Sequence, residues 1–234
     1  MTGRNLDELA YVILPGKPSL GFKSIELYNA AFVYWKAFWG EILRDVGAPA
    51  DALKADDFMR QDFITVLLVG AEIVGLHAYS LFDVRQQAPL EHTYFAKYFP
   101  ESSLEKMLEG APRSLMTMEY FSVSRAWRSA QAGVSLGAAL AILGLRVAAV
   151  LDVDRIVTAA RADVPAAAMA YELGAVPLAK DLEIFGKPTD IVCWRSELVS
   201  QSAYPEARAL AERLWADRRD TTGRLGQPTN MRAA

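Results

Sequence analysis

The chain has 234 residues, a formal net charge of −3 at pH 7 and 52% hydrophobic residues, with one cysteine and two histidines. This length allows one domain with a sizeable core, and the slightly acidic balance lacks the basic field that nucleic-acid binding uses. A single cysteine, Cys193, cannot form a disulfide within the chain, and Cys193, His77 and His92 do not have the spacing of zinc ligands. Because no signal-peptide core or membrane-length apolar run is visible, we expect a cytoplasmic protein without a transmembrane segment, metal site or nucleic-acid partner.

Hydrophobic periodicity and Gly/Pro signals predict alternating strands and helices. The first half is expected to contain a strand, a long amphipathic helix, a strand hairpin and a helical insertion, at 9–16, 22–47, 63–84 and 85–113. The second half is expected to contain a strand, a buried helix, a strand, a short helix, a strand or hairpin, and a surface helix, at 115–123, 133–153, 155–160, 164–175, 182–195 and 205–219. This order predicts a mixed α/β fold.

We expect three parts along the chain. The first is a single domain at 1–195, followed by a C-terminal helix within 196–220 and a flexible tail at 221–234.

The stretch MEYFSVSRAWRSAQAGVSLGAAL, at 118–140, passes from a strand through a loop into a helix. A helix N-terminus combines unpaired backbone N–H groups with the positive end of the macrodipole, which suits a phosphate. Neither G-x-G-x-x-G after an early strand nor G-x-x-x-x-G-K-[ST] is present, so a dinucleotide fold and a P-loop are not indicated.

The element order over 9–195, with strand–helix units at 115–150 and 155–175, resembles the GNAT superfamily of N-acyltransferases. The resemblance implies a mixed, mostly antiparallel central sheet flanked by helices, with a splayed strand pair for the acyl donor. It also implies a loop that holds the phosphates of coenzyme A or of phosphopantetheine under the motif [QR]-x-x-G-x-[GA]. Those motif positions fall on Ala132, Ser135 and Gly137, and two of the three depart from the motif.

A second family segment, N-x-x-A-x-x-L-Y-x-K-x-G-F, is similar to the segment that runs from Asp163 to Ala175. The general-acid tyrosine of many family members falls on Ala170, and Tyr171 points to another helical face. Asp163 has N-capping of the following helix as its ordinary explanation. The resemblance implies the following donor-binding residues: Val123, Arg125, Arg128, Ala132, Gly133, Ser135, Gly137 and Asp163.

Glu119 in EYFSVSRAWR looks like the strand acid of acyl-homoserine-lactone synthases and long-chain N-acyl amino acid synthases. The helical insertion and the aromatic first helix are also similar to those branches, where bulky elements enclose a fatty acyl chain.

N-acyl transfer needs a base for the amine, and donors for the oxyanion and the departing thiolate. We assign Glu119 as general base; the alternatives are an ion pair with Arg125 or Arg128, or a solvent-facing position. A backbone N–H of Val123 or Ser124 is expected to meet the oxyanion. Ser122 or Ser124 is the candidate acid, although a loop serine more often caps a turn.

Substrate-contact candidates come from three places. Trp35 and Trp39, with Phe32 and Phe38, either line an acyl tunnel or form helix core, and core is the more common role for such a row. His77 is either a substrate contact or a satisfied strand histidine. Arg161 is a candidate for holding the carboxylate of an amino acid.

The resulting hypothesis is an N-acyltransferase that moves a medium or long acyl group from a carrier thioester to the amine of a small acceptor, such as an amino acid. The co-substrate is acyl-CoA or acyl-phosphopantetheine on acyl carrier protein, with no covalently bound cofactor. An acidic carrier protein would need a basic dock, for which Arg125, Arg128, Arg146 and Arg155 are available. The alternatives are an acetyl-CoA-dependent N-acetyltransferase and a domain that binds an acyl thioester without turnover.

Overall fold

The computed structural model describes residues 5–49, 51–128, 133–195, 200 and 202–226. Within them, eight strands form one sheet in the order β6-β7-β5-β4-β3-β2-β1-β8. The strands are β1 Leu9–Pro15, β2 Phe63–Val69, β3 Glu72–Asp83, β4 Ser114–Val123, β5 Arg155–Arg161, β6 Val176–Ile184, β7 Lys187–Arg195 and β8 Arg219–Asp220. The helices are α1 Ile25–Asp45, α2 Ala55–Met59, α3 Thr93–Tyr98, α4 Glu101–Leu108, α5 Leu136–Val150, α6 Ala166–Glu172 and α7 Pro205–Ala216.

The sheet is mostly antiparallel: β4–β5 and β1–β8 are parallel, and the other neighbouring pairs are antiparallel. The predicted mixed α/β class is therefore confirmed. The segment predicted as a strand or a hairpin is the β6–β7 hairpin, and its first strand begins six residues earlier than expected. The short elements α2 and β8 were not predicted, because neither is long enough to show a period.

Helices cover both faces of the sheet. One face packs on the apolar helix α5 and on α7, which share a core cluster with inward residues of β1 and β4. The opposite face packs on α1 and α2 over β1–β3, and on the insertion helices α3 and α4 over β4–β7. The two groups of helices on this second face come together beside β4, because the guanidinium of Arg60, which follows α2, lies 5.9 Å from the ring centre of Tyr94 in α3.

Strands β4 and β5 separate part of the way along their length. They pair at Leu115–Arg155, Met116–Ile156 and Thr117–Val157, and no further pairs follow. Beyond this point β4 stays paired with β3, while β5 stays paired with β7. The predicted splayed strand pair is therefore confirmed.

A β-bulge interrupts β4 beside Glu119. The register shifts between Ala78–Glu119 and Leu76–Ser122, and Tyr120 takes a left-handed backbone conformation with φ of +56°. A non-glycine residue in this region is uncommon, so its surroundings must hold it there.

Two tryptophans of α1 hold the bulge. The rings of Trp35 and Trp39 meet the Tyr120 ring edge-on, at centroid distances of 5.3 and 5.4 Å. The Trp39 Nε1–H donates to the Tyr120 carbonyl at 3.3 Å. Trp35 is 1% exposed and also contacts Phe32 and Phe58. Trp35 is therefore core, the half-buried Trp39 packs against that core, and their positions give no support to an acyl tunnel between them.

The C-terminal region packs on the domain. Helix α7 lies in the cluster of α5, and β8 pairs with β1. Leu225 is 2% exposed, and Arg218 donates to the carbonyls of Leu225 and Gly226. Part of the segment 221–226, which the sequence assigned to the tail, thus contacts the domain, and residues 227–234 lie outside the described part. No helix in the described ranges has the length and apolarity to cross a bilayer.

Candidate active site

Glu119 lies buried where β4 and β5 separate, in contact with an arginine. Arg60, which follows α2, reaches it with both terminal nitrogens: Nη1 donates to Oε1 at 3.0 Å, and Nη2 donates to Oε2. Thr117, two residues earlier on the same face of β4, donates its hydroxyl to Oε1 at 2.8 Å. The ion-pair partner is therefore Arg60, and neither Arg125 nor Arg128 takes that place.

The surroundings favour a charged guanidinium at Arg60. Burial alone would lower its pKa, but the hydrogen bonds and the charge of Glu119 outweigh burial, so the pKa of Arg60 is raised. Asp57 adds a second carboxylate, with Oδ1 at 3.7 Å from the Arg60 Nε. The arrangement presents a bidentate arginine–carboxylate pair of opposite charges inside a partly closed cleft.

Side chains occupy the hydrogen-bonding groups that the separated strands leave open. A continued parallel ladder would pair the Met118 carbonyl with the Ala159 N–H. Instead, the Thr158 hydroxyl donates to the Met118 carbonyl at 2.6 Å, and the Ala159 N–H donates to the Tyr94 hydroxyl oxygen at 3.2 Å. These bonds fix the edges of the cleft.

The insertion brings Tyr94 to this point. His92 caps the start of α3, since its Nδ1 accepts the Tyr94 N–H at 3.2 Å. The Tyr94 ring lies 5.9 Å from the Arg60 guanidinium carbon. Tyr94 therefore links the insertion, the charged pair and β5.

The two predicted oxyanion donors, the N–H groups of Val123 and Ser124, point to opposite edges of β4. The Ser124 N–H donates to the Val74 carbonyl at 2.8 Å, so it is not available. Val123, one residue earlier, directs its backbone toward the opposite edge of β4, because successive residues of a strand alternate. Its carbonyl accepts from Arg128 Nε at 3.0 Å. The Ser124 Oγ is buried and has no hydrogen-bond partner among the described residues.

The predicted phosphate loop leads into α5. Ser135 is the N-cap, and its Oγ accepts the Ala138 N–H at 3.2 Å. Gly133 has a φ of +83°, and a Cβ on Gly137 would lie 3.5 Å from Phe121. Ala132 lies outside the described residues.

The two arginines expected beside the phosphates have other contacts. Arg125 is exposed and lies 3.5 Å from Glu41. Arg128, besides its bond to Val123, places its guanidinium 5.3 Å from the Phe38 ring centre. Arg128 thus ties the loop to α1.

Arg161 and Asp163 bind each other, with the Arg161 Nε and Nη2 donating to Asp163 at 2.9 and 2.6 Å. The expected N-capping by Asp163 is wrong, because Pro165 stands at the N-cap of α6. Arg161 has its carboxylate partner within the protein, which weighs against its binding the carboxylate of an acceptor.

His77 lies on the opposite face of the sheet from Glu119. It is 3% exposed and packs against Tyr79 and Phe121, at centroid distances of 4.7 and 5.1 Å. Burial lowers the pKa of His77 to about 3, so the ring is neutral. This position belongs to the core beneath α5 and gives no support to a substrate contact.

The arginines proposed as a carrier-protein dock do not form one patch. Arg155 pairs with Leu115 at the start of β4, so it lies at the other end of this strand from the cleft. Arg146 lies over the Trp215 ring of α7 at 5.9 Å.

A surface depression of about 320 Å³ lies between the end of α3 and the end of β6. Residues 97–100 and 182–184 line it, and none of them was a predicted site residue. We assign it no role in the chemistry, because Glu119 is not among its lining residues.

Sequence reasoning missed Arg60 and Tyr94. Arg60 precedes the apolar strand β2, and Tyr94 lies in an insertion rich in aromatic residues. The available signal was one basic residue beside a buried strand, and it did not identify a partner that lies 59 residues later in the chain.

No protein-family model matches the chain, and no curated protein matches it significantly. Among solved structures, it is similar to the CoA-dependent acyl-homoserine lactone synthase BjaI in complex with MTA, with 12% identity, a TM-score of 0.57, and coverage of 91% of this chain and 93% of that one. It is also similar to the CoA-dependent acyl-homoserine lactone synthase MesI, with 15% identity, a TM-score of 0.53, and coverage of 88% and 94%. A third match is the putative N-acetyltransferase from Lactobacillus plantarum, with 16% identity, a TM-score of 0.50, and coverage of 80% and 98%. At these identities the likeness shows a common fold: the chain has the fold of these synthases and of this acetyltransferase, as the sequence predicted.

Proposed function

We propose that this protein is an N-acyltransferase that moves a medium or long acyl group from a carrier thioester to the amine of a small acceptor, such as an amino acid. The observation that carries the proposal is the buried Glu119–Arg60 pair at the point where β4 and β5 separate. The shared fold adds support, because the two synthases named above are described as CoA-dependent acyl-homoserine lactone synthases.

The acyl donor enters the gap between β4 and β5 in this proposal. The open edge of β4 offers the Val123 N–H for the thioester oxygen, and an arm with amide groups can pair with the same edge. The phosphates then lie toward Gly133 and the start of α5, where backbone N–H groups collect. The donor is acyl-CoA or acyl carrier protein.

The acceptor meets the charged pair. An α-amino acid carries one group of each sign, so its carboxylate suits Arg60 and its amino group suits Glu119. Arg60 takes the role that the sequence assigned to Arg161, because Arg60 lies directly beside the proposed base Glu119.

The reaction is direct attack in a ternary complex. The amine nitrogen attacks the thioester carbonyl carbon, and Glu119 accepts the amine proton directly or through a water. Before it acts as a base, Glu119 must loosen its bond to Arg60, and the arriving carboxylate supplies the exchange partner. No covalent enzyme intermediate is required.

The test compares lipid extracts of bacterial hosts that express the wild type, Glu119→Gln or Glu183→Gln. Glu183 is an exposed glutamate of strand β6, so it serves as a matched control. We expect new N-acyl species with the wild type and with the control, but not with Glu119→Gln, and their masses identify the chain and the acceptor. Extracts that match those of the empty host, with soluble protein present, would contradict the proposal. N-acetylated products alone would instead support an acetyltransferase.

A further inference from the structure

Helix α6 supplies no hydroxyl to the cleft. The position on which the family resemblance places a general-acid tyrosine is Ala170, which is 4% exposed and apolar. The neighbouring Tyr171 donates its hydroxyl to Asp190 Oδ2 at 2.5 Å, and Lys180 Nζ lies 5.1 Å from its ring centre. A departing thiolate must therefore find its donor on another element.

Tyr94 brings a hydroxyl to the cleft from α3. Its oxygen accepts the Ala159 N–H, the first N–H of β5 that the separated β4 leaves unpaired. Tyr94 is 7% exposed; His92 accepts its backbone N–H, and the Arg60 guanidinium carbon lies 5.9 Å from its ring centre. The hydroxyl is thus fixed between the two strands, beside the charged pair.

The hydroxyl keeps one hydrogen to donate. A phenol that accepts from a backbone N–H still has its own O–H, and in the free protein the nearby Thr158 hydroxyl is within reach of it. Burial and the negative charge of Glu119 raise the pKa of Tyr94, so the group stays protonated over the working pH range.

We propose that the Tyr94 hydroxyl donates a hydrogen bond to the thioester sulfur as it leaves, in place of the tyrosine that α6 lacks. This inference rests on the proposed acyl transfer. In the step, the bond from the amine nitrogen to the carbonyl carbon forms and the carbon–sulfur bond breaks. The electron pair goes to the sulfur, which takes up the proton that the amine lost, and the phenol retains its own proton.

The experiment uses the purified full chain, one amino acid acceptor identified from the wild-type products, and two donors with the same acyl chain. One donor is the N-acetylcysteamine thioester, whose alkyl thiolate is a strongly basic leaving group. The other is the thiophenyl ester, whose weakly basic thiolate leaves without assistance. Tyr94→Phe should lower kcat with the alkyl donor about 100-fold, as the loss of one transition-state donor does. With the aryl donor, the loss should shrink to less than about 5-fold, since the sulfur needs little stabilisation.

The control is Tyr98→Phe, the same substitution one turn further along α3, where the ring packs toward Phe185 at 6.1 Å. It should turn over both donors as the wild type does, and thermal unfolding should show that both variants fold. Equal losses with both donors for Tyr94→Phe would indicate a structural role only and would overturn the inference, as would unchanged turnover. Host extracts in which the wild type forms no N-acyl product would overturn the proposed function itself, and this inference with it, before any donor is compared.

Discussion

Arg60 and Glu119 form the most consequential contact between single residues in the molecule. Glu119 is buried and Arg60 is partly buried, with side-chain exposures of 4% and 22%, and two hydrogen bonds join the opposite charges. A buried pair seldom adds net stability over apolar residues of the same volume, whereas the loss of one partner is costly. Stability alone therefore does not explain the pair, which agrees with the role that we propose for Glu119.

Substitutions of Arg60 and Glu119 are expected to have non-additive effects on the free energy of unfolding. Arg60→Met leaves the buried Glu119 carboxylate without its ion-pair partner and should lower the free energy of unfolding by about 3–5 kcal/mol. The double variant Arg60→Met with Glu119→Gln should lose less than the sum of the single variants, because it leaves no buried charge. Urea unfolding of the four proteins in the double-mutant cycle checks this, and additive losses would show that the two side chains do not interact.

A second prediction at this scale concerns His77 and pH. Its pKa is about 3 in the folded protein and 6.5 ordinarily, so below pH 6.5 the unfolded chain binds a proton that the folded protein does not. The stability that His77 contributes is complete above pH 6.5 and is lost as the pH falls toward 3, by about 1.4 kcal/mol per pH unit. His77→Phe should therefore flatten the decline of the free energy of unfolding between pH 6 and 4.5. Parallel curves for variant and wild type would contradict this assignment.

At the scale of elements, the bulge of β4 and the separation of β4 from β5 place the site. The bulge turns the strand at Tyr120, two tryptophans of α1 keep it there, and Tyr94 and Thr158 occupy the groups that the separation exposes. Because each of these contacts comes from a different element, the packing of the whole domain fixes the point at which β4 and β5 separate.

The close approach of Gly16 to Gln61 provides a test of the packing between β1 and the segment before β2. A Cβ on Gly16, just after β1, would lie 1.7 Å from the Gln61 carbonyl oxygen, which is backbone and cannot rotate away. Gly16→Ala should therefore lower the free energy of unfolding by at least about 2 kcal/mol. The matched control, Gly40→Ala in α1, meets no atom within 4 Å and should raise it by about 0.5–1 kcal/mol through helix propensity. Equal effects in thermal unfolding would show that the approach of Gly16 to Gln61 is not as described.

Local patterns were sufficient to predict much of this architecture from the sequence. The strands β1–β5, the long helix α1, the buried helix α5 and the insertion follow from hydrophobic period, and Glu119 follows from its place in an apolar strand. The partner of Glu119 could not be predicted, because its choice depends on how α2 and β4 meet in space. The position of Tyr94 could not be predicted for the same reason. From the sequence, a tyrosine in an aromatic-rich insertion is expected to be core, and only the structure shows that its hydroxyl accepts the Ala159 N–H.

At the scale of the whole molecule, the two faces of the sheet differ in the residues that pack on them. The face beneath α5 and α7 is a continuous apolar core, and it holds His77. The opposite face contains the charged pair, at the border between the α1 cluster and the insertion cluster. The chain after α7 returns to β1 and closes the first of these cores with Leu225.

This closure predicts that the C-terminal segment unfolds with the rest of the domain. Leu225→Ala should lower the free energy of unfolding by about 2–5 kcal/mol and keep a single transition, because a buried leucine leaves a cavity when it is removed. Leu20→Ala is the matched control, since Leu20 is 105% exposed, and it should change stability by less than about 0.5 kcal/mol. Similar effects of the two substitutions on the free energy of unfolding would show that residues 219–225 do not pack on the core.

The central claim is that this fold transfers an acyl group to an amine. The most direct measurement follows free thiol and N-acyl product together, with purified protein, a long-chain acyl-CoA or acyl carrier protein, and a mixture of amino acids. We predict equal amounts of thiol and N-acyl amino acid with the wild type, and a loss of both with Glu119→Gln. Thiol released without any N-acyl product, or no thiol release with either donor, would contradict the account.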